Sequence, residues 1–306
     1  MAPRQAAEDK RRLAVWTAYL GASRLVESMD RATLDGFVRA RRAGNLKVPD
    51  VNLAPHPTNR TVGADLEFLR RVCNWPLTVT RGNGKPLLDH HPLTHYAIPT
   101  NANPRRPVAT YDRYLAIRQH ADEVDRQGLF GAFLDLVEGL GWRVTAICEL
   151  RATDVDLTAS DARPHGRLRK RAETDKMGVT QWVPMSAAVR SAVLAALERN
   201  AAIGEAPLFP APQRAGRCWT RFHAKDLLER AEIAARTAAV KREDHEAAAM
   251  LAPLDGSDFH AYRRAWATAR KHLPLKDVAA AGGWRSTATL LRCYTQVDDA
   301  TICCGE

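Results

Sequence analysis

Six residues in the second half of the chain have side chains that could do chemistry. Arg143 follows the glycines Gly139 and Gly141 in GLGWRVTAICEL, and Lys176 stands eight residues before Pro184 in ETDKMGVTQWVP. His260 and Arg263 are three apart in FHAYRRAWAT, and Trp284, after Gly282-Gly283, precedes Tyr294 by ten residues. A guanidinium is a permanent cation with a planar fork of donors, imidazole titrates near neutrality, and a phenol becomes a nucleophile once deprotonated. Taken singly, each also has an ordinary reading: a surface helix arginine, a solvated turn lysine, a partly buried tyrosine. Order and context give them weight. Arg143 opens a helix after a glycine break, Lys176 tips a hairpin, and His260 and Arg263 begin a further helix.

The rest of the composition narrows the classes. The chain has 306 residues, 45% apolar and 26% charged, proportions of a folded globular protein rather than a disordered or collagen-like one. No apolar run reaches the roughly 18–20 residues of a membrane span, and the charged start Met1-Ala2-Pro3-Arg4-Gln5 lacks the apolar core of a secretory signal. The net charge of +10 favours a polyanionic partner, nucleic acid above all. The excess is denser in the first third: residues 1–100 carry 15 Lys/Arg against 9 Asp/Glu. Six cysteines, at 73, 148, 218, 293, 303 and 304, match no paired C-x-x-C spacing, so reduced thiols in a cytoplasmic protein are expected. His90, His91 and His95 sit in a loop without thiolate or carboxylate company, and no metal site is expected there.

The elements that must position these residues are mainly α-helical. Leu13, Trp16, Leu20 and Leu25 are near helical spacing. Thr33 is a plausible N-cap for a helix stopping at Gly44, and Thr61 for one whose Val62, Leu66, Leu69, Val72 and Cys73 share a face. Residues 1–80 thus form a helical domain. The Gly/Pro/Asn-rich stretch 81–107 is a linker, and 108–306 form a second, mostly helical domain. Its one strand pair is a small antiparallel β-hairpin, Leu168 leading into a basic turn and Thr180–Pro184 returning from it, with the turn at Asp175–Gly178. Alanine-rich helices follow at 186–200 and about 219–250.

In this order the motifs resemble the catalytic domain of the tyrosine recombinases, the phage integrase family. GLGWRVTAICELRATDVDL looks like the family's arginine box, FHAYRRAWAT like its H-x-x-R box, and AGGWRSTATLLRCYTQV like its tyrosine-bearing end. RTVGADLEFLRRVCNW is similar to the last helix of the family's N-terminal core-binding (SAM-like) domain. The resemblance implies that Tyr294 attacks a scissile DNA phosphate, leaving a 3′-phosphotyrosyl link and a free 5′-hydroxyl. Arg143 and Arg263 would clamp the non-bridging oxygens, Lys176 would protonate the leaving 5′-oxygen, chosen over the nearby Lys170 and Arg171 for its spacing to Trp182-Val183-Pro184, and His260 would move the tyrosine proton or brace the phosphate. Trp284 stands where the family has His or Trp. Because the ester stores the energy of the broken bond, neither ATP nor a metal cofactor is implied. The implied partners are double-stranded recombination sites, paired by four protomers that are monomeric when free, and no membrane.

Two features depart from the family pattern. Ala146 occupies the place of the usual acidic residue three positions after the arginine, with Glu149 a turn further as a substitute. The chain also ends twelve residues after Tyr294, at TICCGE, short for the family's docking helix. They motivate a second reading, a decayed integrase that only binds DNA. A third is a relaxing activity like that of a type IB topoisomerase.

Overall fold

The computed structural model describes residues 3–100, 106–174, 178–214, 216–254 and 258–295. The chain divides into two compact units, Met1–Pro104 and Arg105–Glu306. The first unit is built on α1 (Pro3–Leu20), α2 (Arg31–Arg42) and α3 (Asn59–Thr78). Trp16 stacks on Phe37 at 3.8 Å, and Leu34, Val62, Leu66 and Leu69 close the core around them. Two helices begin three residues earlier than their sequence suggested. Asp30, not Thr33, caps α2 by accepting the Thr33 N–H at 2.8 Å, and Thr58, not Thr61, caps α3 by accepting the Thr61 N–H. In each case the acceptor has to stand three positions before the free N–H that it satisfies. Val72 falls at the edge of the apolar stripe and stays 44% exposed.

The segment 81–107 does more than span. Leu88 and Leu93 are buried in the first unit's core. The His91 ring accepts the Leu93 N–H through Nδ1, so its Nε2 donates to the Arg70 carbonyl. Two leucines suffice to fold a Gly/Pro-rich stretch back onto a neighbouring core, since each buried side chain contributes about 1.5–3 kcal/mol.

In the second unit, α4 (Tyr111–Arg118) and α5 (Ala121–Val124) lead into α6 (Phe130–Leu140), which is followed by α7 (Val144–Cys148). Helix α6 is apolar almost all round and is therefore central. Its Phe133 meets the rings of Phe209, Trp219 and Phe259 at 5.1–5.8 Å. Then come β1 (Val155–Asp156), β2 (Arg167–Lys170) and β3 (Gln181–Pro184), an antiparallel sheet in the order β1-β2-β3. The hairpin has thus acquired a third strand, too short to show a pattern in the sequence. The remaining helices are α8 (Ala187–Asn200), α9 (Arg221–Lys241), α10 (His245–Met250), α11 (Asp258–Ala269), α12 (Leu275–Gly282) and α13 (Thr287–Cys293).

Gly141 sets the geometry between α6 and α7. It caps α6 in the left-handed region (φ +60°), and a Cβ built there would overlap the Trp266 indole. Both constraints demand glycine. Gly141→Ala is expected to destabilise the protein by more than about 2 kcal/mol, combining the left-handed backbone cost with overpacking. Urea unfolding measures this, and a wild-type midpoint would refute it.

Candidate active site

Three elements converge on Arg263. It lies on α11, is only 2% exposed, and donates through Nη1 to the Gly141 carbonyl at the end of α6 and to the Gly282 carbonyl at the end of α12 (2.8 Å). Its guanidinium carbon lies 3.7 Å from the centroid of the Trp284 ring and 5.3 Å from that of Tyr294. A charge so buried needs hydrogen bonds and polarisable faces in place of water, and two glycine carbonyls and two aromatic rings supply them.

Trp284 is the hub of this packing. Its ring stacks with Trp266 at 5.9 Å and meets Tyr294 edge-on at 4.8 Å. Gly283, at φ +73°, lets the chain turn sharply out of α12 into Trp284. Tyr294 is half-buried at the end of α13. Its main chain is held at both ends: the N–H donates to the Leu290 carbonyl at 3.0 Å, and its carbonyl accepts from the Thr268 hydroxyl at 3.2 Å.

His260 stands in the first turn of α11 on the exposed side. Its imidazole is held below the ordinary histidine value, first by desolvation and then by the positive charges of Arg263, Arg264 and Arg143, which outweigh Asp258. Arg143 is therefore within electrostatic reach of His260. It is half-buried and is the N-cap residue of α7, directly after the Gly141 turn. Of the six residues expected from the sequence, Arg263, Trp284 and Tyr294 are in contact, and the charges of Arg263 and Arg143 act on His260. Lys176 lies outside the described residues.

The acidic position is filled as the sequence indicated, by a buried Ala146 on α7. Glu149 does not take over its place: it caps the far end of α7, exposed, with Arg151 as its charged neighbour.

Two further buried cations lie in this unit: Lys170, a neighbour that the sequence left beside Lys176, and Arg264, which it did not single out. Lys170 sits on the inward face of β2 beside Leu168, 4% exposed, with Nζ 6.0 Å from the Trp142 ring and so close to Gly283 that a Cβ there would collide with it. Arg264, next to Arg263, is 2% exposed. The strand alternation of RLRK was the available signal for Lys170, since its partner in the ladder is Gln181 and its face is that of Leu168.

The second unit's fold is that of the recombinases that work on DNA. A lambda integrase dimer bound to a core site superposes with a TM-score of 0.65 at 14% identity, over 98% of this chain and 75% of that one. A Tn1549 transposon integrase in complex with a circular intermediate DNA gives 0.67 at 13%, over 99% and 92%. XerH site-specific recombinase, bound to a palindromic difH substrate after cleavage, gives 0.62 at 16%, over 94% and 73%. No curated protein matches the sequence. Residues 110–301 match the phage integrase family, and the chain belongs to it.

The lowered value of His260 has a definite sign. The folded chain resists protonation more than the unfolded one. The residue therefore costs nothing above the ordinary value near 6.5; its penalty grows as pH falls from there towards the lowered value and levels off below it. An NMR titration of the His260 ring is expected to give a midpoint below 6.5; one at or above it would contradict this environment.

Proposed function

We propose that the protein is a site-specific DNA recombinase that cuts and rejoins strands through Tyr294, with a 3′-phosphotyrosyl intermediate. The observation that carries this reading is the pairing of a buried guanidinium with the ring of a tyrosine near the end of the last described helix, Arg263 5.3 Å from Tyr294. Membership of the phage integrase family supports it.

The chemistry is dictated by charge. Attack by the phenol on a backbone phosphorus gathers negative charge on the non-bridging oxygens, where Arg143 and Arg263 supply preorganised donors. The phenol must lose its proton during attack. His260, kept neutral to lower pH than usual, is suited to receive it. Trp284 holds Arg263 and Tyr294 in register through its two faces and its edge. The leaving 5′-oxygen needs a proton, for which Lys176 is the hairpin lysine that the resemblance implies. The ester conserves the energy of the broken bond, so ATP and metal are not required by this scheme. Two duplex sites held by four protomers, which are monomers when free, complete the exchange. The reaction is cytoplasmic, where the free thiols of Cys73 and Cys148 stay reduced.

Incubation with a suicide substrate carrying the cognate site should give a covalent protein–DNA adduct with wild type and none with Tyr294→Phe. An adduct that persisted in that variant would sink the assignment. Arg263→Ala is expected to lower the cleavage rate by about 10²–10³-fold, and a change within twofold would speak against a phosphate clamp. DNA binding without cleavage on a full-length site would favour the binding-only reading.

The lysine can be tested separately. A substrate with sulfur in place of the bridging 5′-oxygen releases a thiolate that needs no proton, so it should restore the rate of Lys176→Met but not of Arg263→Met. Were Lys170→Met the variant rescued by sulfur, the acid would be the buried strand lysine instead.

A further inference from the structure

Arg264 is a buried cation that the proposed reaction leaves unused. It is 2% exposed on α11, one residue after Arg263, and its Nε donates at 2.7 Å to the carbonyl of Pro107. Pro107 belongs to the short stretch through which the chain enters the second unit before α4. One helical turn earlier on the same face, the Ala261 carbonyl accepts the N–H of Ala109 at 3.2 Å, and Ala109 is itself buried. Two hydrogen bonds, one donated from α11 and one accepted by it, thus join the incoming strand to the helix that carries His260 and Arg263.

The charge around this joint has a direction. Arg264 is disfavoured by desolvation and by the neighbouring Arg106, and favoured by the phenol of Tyr294. On its own helix it adds to the positive field that Arg263 and Arg143 place on His260, against Asp258. The incoming stretch supplies Arg106, α7 begins at Arg143, and the end of α13 supplies Tyr294.

We propose that Arg264 is a positioning residue that latches residues 106–109 onto α11, so that the setting of His260 and Arg263 depends on this joint. This rests on the recombinase reading and extends it. A displacement of about 1 Å in a catalytic group costs up to roughly 100-fold in rate. A joint in the main chain ahead of the site is therefore enough to govern whether the site is assembled.

Full-length Arg264→Lys and Arg264→Met are compared with wild type in three measurements. Lysine keeps the charge but lacks the Nε–H in its side-on position, and methionine removes both. Expected are DNA affinities within about twofold of wild type at fixed salt, and adduct formation slowed roughly 10- to 100-fold in both variants. Hydrogen exchange should show faster exchange at the Ala109 amide and the first turns of α11, with the rest of the second unit unchanged. Methionine alone should raise the NMR midpoint of His260, because only it removes the charge. Wild-type adduct rates in both variants would overturn the latch. So would faster exchange spread over the whole unit, which marks a merely structural role. Should wild type form no adduct on any site, the recombinase reading fails, while the exchange experiment still tests the latch.

Discussion

Burying the guanidinium of Arg263 is the constraint around which the second unit is arranged. A fixed charge with 2% exposure is tolerable only where carbonyls and ring faces replace water. Those carbonyls, Gly141 and Gly282, end two different helices, and their exposure to Arg263 depends on chain turns made by Gly141 and Gly283 in left-handed conformations. The apolar α6 anchors one side of the arrangement. Trp284 covers the guanidinium, and Trp142 reaches across to donate to the Ala281 carbonyl at 2.8 Å. Packing, helix endings and site are therefore a single solution to one electrostatic problem.

Much of that solution was legible in the sequence because it depends on glycines and aromatic residues at fixed offsets. The glycine break before Arg143, the pair Gly282-Gly283 before Trp284 and the H-x-x-R spacing mark where the chain must turn and which side chain each turn presents. What the sequence did not reveal was set by side-chain direction. Lys170 lies in RLRKR, a run that reads as solvated. The pairing of Leu168 with Val183 puts Lys170 on the inward face that the alternation of RLRK marks, while Arg167 and Arg169 lie outside against the Trp182 ring at 4.5 and 5.6 Å. Arg264 escaped for a similar reason, since its acceptor lies 157 positions away in the chain. The displaced caps of α2 and α3 show the same limit at short range. Asp30 and Thr33 are both good cap residues, and backbone conformation chooses between them.

Replacement of the usual acid by Ala146 changes how the first arginine is supported. Ala146 is buried and packs with the apolar core, so α7 is held by Ile147 and Cys148 rather than by a carboxylate. The backbone of Arg143 is extended, between a left-handed glycine and a helix start. The positive charges of Arg263, Arg264 and Arg143 are felt at His260.

Tyr294 is fastened by its peptide groups, while its ring meets Trp284 edge-on and Arg263 at a greater distance. Such a residue is a lever with a fixed fulcrum. Rotation about a single side-chain bond sweeps the hydroxyl along an arc without disturbing the backbone. On the recombinase reading, the angle of that bond is the variable that a bound duplex has to set.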